Sequence, residues 1–450
     1  MSGKNDPVSR SWQREKHFAL ALILLLFLGG ALGCGGKEYN AENLLNLARN
    51  GELQERMDWA RHYYQLALES NPANLEARRG WIKSLSQGDE GSRSEALDLC
   101  EKYLNEVPGD QEIRLLQAGH YLILGRDQEF IQALAGLEDT PQKALLTAEY
   151  YARSQPLKAL FFAETALAEE KPSIDAFRLV MVLWQQTQHH DLVLEVGERA
   201  IRTYPLHSDW HYLNARSQKA LGMETESAKS LEVFETLVAF THWETDSQGS
   251  PEDLIDRLQA ASGVLDMSFP EIHLAMAKLS FASARSREGQ SQLIRCLDAV
   301  PSKIEIWMAA GNLALQNQML DVALRCFEFV LEHQPDHRTA TLRMADAHQA
   351  TGNRGQSRQV LLSFLTQHPN DAGVLFKLGS QWLSENQPDE AEPYLFQALR
   401  LAPYQGMFRV VLAQTYLAQK QIPKAQKLQK NLPEPSPLWD AFCKKQGWKG

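Results

Sequence analysis

Pro301, Pro335, Pro369 and Pro403 are each separated by 34 residues. Proline cannot donate to a helix ladder, and it biases the residue before it away from the helical region. A strict proline period therefore cuts the chain into equal segments. Each is long enough for two short helices and too short for a domain of its own. Upstream, Pro72, Pro108, Pro141, Pro172 and Pro205 follow at spacings of 36, 33, 31 and 33. A chain of 450 residues would otherwise suggest roughly three globular domains. An array of repeats replaces that expectation, because it grows without adding separate cores.

Other residues recur in the same register. The unit from Ile304 to Asp336 has Trp307 early in its first helix and Gly311 where a second helix would cross. Ala323 and Phe327 follow in the second helix, and Pro335 closes the unit. The unit from Ala372 carries Leu378, Gly379, Trp382, Ala391, Leu395, Ala398 and Pro403. The unit from Ala41 carries Ala48, Ala60, Tyr64, Ala67 and Pro72. This pattern resembles the tetratricopeptide repeat, a helix–turn–helix unit. The resemblance implies an all-α fold: an α-solenoid of such repeats wound into a right-handed superhelix. It covers residues 41 to about 435, strongly over 41–72 and 304–403. The unit ending at Pro369 keeps Ala345 but has Ser357 where Ala is usual, and the units ending at Pro141 and Pro172 keep the period and amphipathic helices but few signature residues. No β-rich stretch is present.

Between Pro205 and Pro301 the register breaks. His207–Leu221 and Thr225–Leu237 read as a helix pair around Gly222. Residues 241–250 (THWETDSQGS) are polar and aperiodic and read as a loop. Ser250-Pro251-Glu252-Asp253 has the capping serine, first-turn proline and early acids of a helix start. The expected organisation is N-terminal repeats over 41–240, the loop 241–250, C-terminal repeats over 251–435 and a capping tail over 436–450. Within that tail, 438–448 is amphipathic, with Cys443 expected to be exposed.

Phe18–Leu28 is an unbroken apolar run of 11 residues behind a mildly basic start. It has the length of a signal-peptide core and falls short of the roughly 20 residues a span needs. Ala31-Leu32-Gly33-Cys34 follows and resembles a bacterial lipobox. That resemblance implies a signal peptide over 1–33, lipidation of Cys34 and a cell-envelope location with the body outside the cytoplasm. A second reading is an uncleaved anchor from Phe18 to Gly33. Gly35 is not the Asp that in some bacteria retains a lipoprotein in the inner membrane.

The formal net charge is −10, which disfavours binding to a phosphate backbone. Five cysteines make no disulfide framework, and no C-x-x-C occurs. Cys100 reads as a small buried residue; Cys296 and Cys326 read as two small buried residues, with a disulfide between them as the alternative outside the cytoplasm. No phosphate-binding glycine loop, H-E-x-x-H or G-x-S-x-G is found. His207 and His211, four apart, are the nearest thing to a metal pair. They read as two partly exposed histidines near a turn, and His189, His190, His333 and His337 add no ligand set. Trp307, Phe327 and Trp382 fall on packing positions. No enzyme, cofactor or metal is expected.

The repeat resemblance points to the concave face lined by the first helix of each unit. In three successive units its phase places Met308, Asn312 and Leu315, then Leu342, Asp346 and Gln349, then Phe376, Ser380 and Leu383 on that face. Some members of the family clamp a C-terminal carboxylate with Lys and Asn at such places. Asn312 matches, and Arg343 and Lys377 lie near others, but Met308 stands where a Lys would be needed. The mixed face suits an amphipathic helix or extended segment of a protein partner. The expected function is a non-enzymatic, membrane-anchored scaffold in a bacterial envelope complex. The alternative is an accessory subunit of a polysaccharide export or glycan synthesis system.

Overall fold

The computed structural model describes residues 41–53, 57–403, 405–428 and 437–448. Cys34 and the expected signal peptide over 1–33 lie outside the described residues. Among these residues every regular element is helical. The helices form antiparallel pairs that stack in chain order: α1 (Ala41–Leu53) with α2 (Met57–Ser70), α3 (Leu75–Ser86) with α4 (Glu90–Glu106), α5 (Gln111–Ile123) with α6 (Asp127–Ala135), α7 (Pro141–Ala152) with α8 (Pro156–Leu167) and α9 (Ile174–Gln186) with α10 (His190–Thr203). Then come α11 (Asp209–Ala220) with α12 (Glu224–Asp246), a single helix α13 (Pro251–Ala260), and α14 (Pro270–Ala282) with α15 (Ser286–Asp298). The series closes with α16 (Ile304–Gln316) and α17 (Leu320–His333), α18 (Arg338–Ala350) and α19 (Arg354–Gln367), α20 (Ala372–Ser384) and α21 (Pro388–Leu401), α22 (Gly406–Ala418) and α23 (Ile422–Lys427), and finally α24 (Pro437–Lys445). This is an α-solenoid. The first described helix, α1, also touches α21, hundreds of residues downstream.

Local chemistry sets the helix ends. Asn74, Asp110, Ser173, Ser250 and Asp371 accept from backbone N–H groups of the first turn, which satisfies donors the helix itself leaves free. Within pairs, the connecting turn passes through a left-handed residue: Gly125, Gly222 and Gly352, but also Ala284, Gln318, Asn386 and Lys420. The last turns repeat the 34-residue period, at 318, 352, 386 and 420.

The period-ending prolines have a second use. Pro72, Pro108, Pro301 and Pro403 offer their carbonyls to a side chain six residues on, respectively Arg78 (2.7 Å), Arg114 (2.6 Å), Trp307 (2.8 Å) and Arg409 (2.9 Å). Each bond pins the start of the next unit to its own first helix.

Small residues let paired helices approach. A Cβ on Gly311 would stand 2.7 Å from Cε1 of Phe327, and one on Gly379 would stand 2.6 Å from Cγ of Leu395. Ala48, Ala60, Ala67, Ala323, Ala391 and Ala398 are fully buried. Apolar cores cross the boundaries between units; one joins Leu274 and Leu293 to Trp307, Phe327 and Ala340.

The interruption differs from the expected loop. Helix α12 continues through Thr241 and His242 to Asp246, so the break shrinks to residues 247–250. No Gly or Pro falls between Met223 and Ser247. Phe240 is buried and stacks on Trp243 at 6.0 Å. The Thr241 hydroxyl returns to the Leu237 carbonyl and the Thr245 hydroxyl to that of Thr241. Leu237 and Phe240 pack with Leu254 and Leu258 of α13 and with Ile272, Met276 and Leu279 of α14. The core therefore bridges the break. Lys303 strengthens it, donating to the Thr203 carbonyl (2.7 Å), 100 residues upstream, and to Glu271 (2.5 Å).

Ion pairs between neighbouring units recur at a separation near the period. Arg79 bonds Asp110, Arg178 bonds Asp209, Lys303 bonds Glu271, Arg338 bonds Asp371 and Lys377 bonds Asp346. Partly exposed pairs of this kind contribute no more than about 1 kcal/mol each. Their effect is to hold adjacent first helices in register.

Cys443 is buried, contrary to expectation. It lies on the inner face of α24 with Trp439, Phe442 and Trp448, packed on α22. The lysines that follow it occupy the outer face. Cys100, Cys296 and Cys326 are buried and unpaired, and burial pushes each thiol up to about 12.

Candidate functional site

The first helices α16, α18 and α20 carry the nine residues expected on the concave face. Met308, Asn312, Leu315, Leu342, Asp346, Phe376, Ser380 and Leu383 are all partly buried, and Gln349 is exposed. Their surroundings divide them. Met308 and Leu315 pack on the core that holds Trp307 and Phe327. Leu342 packs with Trp382. Phe376 stacks on Phe408 of α22, with centroids 4.2 Å apart and planes at 14°. Asp346 accepts from Lys377 and lies 3.7 Å from Arg343. Asp346, Lys377 and Arg343 therefore meet as a compensated cluster, and the apolar members are committed largely to joining units.

Two polar atoms on this face are left over. Asn312 Oδ1 and Ser380 Oγ are buried with no hydrogen-bond partner. Asn312 lies in a cleft of about 540 Å³ that the extended end of α12 walls off against α14 and α16. Trp243 and Phe281 supply its aromatic surface, and Asn312, Gln316 and Asn317 its amides. Its charges cancel, because Lys278 Nζ bonds Glu244 Oε1 at 2.6 Å. A neutral cleft with aromatic walls and carboxamide groups can hydrogen-bond a polypeptide backbone while sheltering an apolar side chain. It lacks the concentrated positive charge that a carboxylate would require.

Trp243, Lys278 and Phe281 are the members that the sequence pattern does not single out. Trp243 falls within the segment expected to be a loop. The signal that places it is the spacing of Leu237, Phe240 and Trp243 in an unbroken stretch free of Gly and Pro.

The histidines near the helix ends are engaged in packing and capping. His211, expected to be partly exposed, is 1% exposed on α11, and burial lowers it to about 4. His207 stacks on Trp210 at 4.6 Å and is also lowered by burial. His189 and His337 each stand at the residue before a helix, and His337 Nδ1 accepts from the Ala340 N–H. Among the described residues no group of three or more His, Cys, Asp or Glu is arranged to hold a metal. Trp307, Phe327 and Trp382 belong to the packing between helices.

The chain carries tetratricopeptide repeats: family models of that description match residues 308–372, 342–406 and 383–441. These residues make up less than a third of the chain. Among curated proteins, human protein O-mannosyl-transferase TMTC3 is 24% identical over 173 residues, 38% of this chain. Human tetratricopeptide repeat protein 7A is 22% identical over 237 residues, 48% of this chain. The chain spans only 19% and 27% of the lengths of these two relatives. Among solved structures, yeast Tom70 aligns over 90% of this chain and 95% of its own, with 14% identity and a TM-score of 0.35. MamA from Desulfovibrio magneticus aligns over 37% of this chain and 97% of its own, with 16% identity and a TM-score of 0.30.

Proposed function

We propose that this protein is a non-enzymatic repeat scaffold of a bacterial envelope complex, held at a membrane through acylated Cys34 and gripping an extended segment of a partner protein on its concave face. The observation that supports this most is the Asn312 cleft. Its floor holds a buried carboxamide oxygen without a partner, and its walls belong to three successive units. A buried acceptor left unpaired costs about 1–3 kcal/mol, a cost that a bound backbone N–H would remove. Repeat stacks offer such extended concave surfaces generally. The membrane attachment draws its support from the sequence before Ala41. Among the described residues no helix is long and apolar enough to cross a membrane.

Two experiments test the two halves separately. A photocrosslinking residue at Gln316 or Gln349, on the concave side, should trap the same partner in native membranes. The same probe at the exposed Leu362 of α19 should not. Trapping only from Leu362 would move the site to the convex face. Metabolic labelling with a fatty-acid analogue should mark the wild type and spare Cys34→Ser; equal labelling of both would remove the lipid anchor from the scheme.

A further inference from the structure

We propose that the C-terminal end of the solenoid is a docking surface for an anionic lipid bilayer. Residues 401–450 contain seven Lys and one Arg against one Glu and one Asp, a net +6, whereas residues 41–400 sum to −18. The chain is acidic as a whole, yet its final layer is strongly basic. Such an asymmetry between parts of one chain points to an anionic surface as the partner of the basic part.

Arg409 is buried, but five of the seven lysines face outward. Helices α23 and α24 both pack on α22 and form the last layer of the stack. Trp439, Phe442 and Cys443 turn α24 inward. Lys420, Lys424, Lys427, Lys444 and Lys445 are all exposed. Lys424 is engaged with Glu392 at 3.4 Å, while the other four form no ion pair among the described residues. Ile422 and Leu438 stand among them at 51% and 54% exposure. Free lysines interleaved with exposed aliphatic side chains are the composition of a face that lies in a lipid headgroup region. A nucleic acid would use the lysines and leave Ile422 and Leu438 in water, and the acidic body would repel a long polyanion.

Connectivity brings the same end to the membrane. Helix α1 touches α21, the element directly before α22. Cys34 precedes Ala41 by seven positions, a span of at most about 25 Å even when fully extended. A chain held at a bilayer by its N-terminus therefore has its basic end within reach of that bilayer. The inference rests on the membrane attachment proposed above and adds an orientation to it.

The test uses the full chain reconstituted in vesicles of phosphatidylcholine alone or with about 30% phosphatidylglycerol. A polarity-sensitive dye is placed at Ala441→Cys, an exposed position on α24; the buried native thiols, raised by burial, stay unreactive. Sedimentation with the neutral vesicles reads the N-terminal attachment by itself, and the dye reads the cap by itself. The expected result is a blue shift and quenching by lipid-borne quencher only when phosphatidylglycerol is present. About 0.5 M NaCl should abolish it through screening. Changing Lys420, Lys427, Lys444 and Lys445 to Glu should abolish the shift at about 30% phosphatidylglycerol, and changing them to Arg should preserve it. A dye signal indifferent to phosphatidylglycerol would overturn the proposal. So would a signal that follows protein concentration instead of lipid charge, since it would assign the lysines to the acidic surface of a second copy.

Discussion

Lys377 on α20 donates to Asp346 on α18, 31 positions upstream, across the inner face of the solenoid. Both side chains are 29% exposed, so the pair is neither fully solvated nor dry. Asp346 is thereby engaged by its own chain before any partner arrives. A double-mutant cycle with Lys377→Met and Asp346→Asn, read by urea unfolding, should give a coupling of about 0.5–1 kcal/mol that shrinks in high salt. A coupling of zero would show that the pair does nothing for register.

The glycines separate into two classes with opposite responses to a methyl group. Gly311→Ala should destabilise by about 1–3 kcal/mol, because the new Cβ meets the Phe327 ring at 2.7 Å in a packed core. Gly119, inside α5, has nothing within 4 Å of its virtual Cβ. Gly119→Ala should stabilise by up to about 1 kcal/mol through helix propensity. Thermal unfolding of both variants checks the pair, and a shift of the same sign in each would discredit the crossing geometry. Gly249 is a poor control for such a series, since its φ of +102° penalises any side chain.

The connecting turns offer a stabilising change. Gln318 and Lys420 hold φ of 60° and 61°, where L-residues other than Gly are strained by about 1 kcal/mol or more. Gln318→Gly should raise stability by a few tenths to about 1 kcal/mol, less than the full strain because Gly also gains freedom in the unfolded chain. Gly352→Gln, at the equivalent turn one period on, should lower it. Chemical denaturation of the two variants reads the contrast, and matching effects would contradict a shared left-handed turn.

Acid sensitivity should centre in part on His211. Its burial lowers it to about 4 in the folded chain, against about 6.5 unfolded. A base depressed by folding binds fewer protons when native, so its contribution is complete above pH 6.5 and is lost as pH falls toward 4. Between pH 8 and pH 5 this one group should account for about 2 kcal/mol of lost stability. His211→Leu, compared with wild type by urea titration at both values, should lose correspondingly less on acidification. An unchanged difference would place the acid sensitivity elsewhere.

The period and the crossing residues were legible because both follow from local rules. Pro301, Pro335, Pro369 and Pro403 each stand between two helices, where the break recurs with the period, and the close approach at Gly311 and Gly379 admits no side chain. The carbonyl bonds from Arg78, Arg114, Trp307 and Arg409 were not legible, since an Arg or Trp six residues after a proline has no meaning until both helices are placed. The extension of α12 was hidden by its composition. Thr241, Thr245 and Asp246 read as loop residues, and only the packing of Phe240 and Trp243 against α13 and α14 overrides that preference. On the concave face the phase of Asn312 was readable, whereas its cleft was not, because Trp243, Lys278 and Phe281 reach it from two other units. Phe376 shows the reverse case: its phase was consistent with a ligand contact, and its ring is spent on Phe408.

The touch of α1 on α21 alters how the array should come apart. In an open stack each unit leans only on its neighbours, so stability is nearly a sum of local terms and the ends fray first. Here the first helix has a second neighbour at the far end, and the stack behaves as a washer with a seam. Melting that reaches α1 or α21 must break that seam, so the loss of one is felt at the other without passing through the units between. Hydrogen exchange in α1 and α21 should accordingly rise together when either is weakened, a correlation that a linear chain of repeats does not produce.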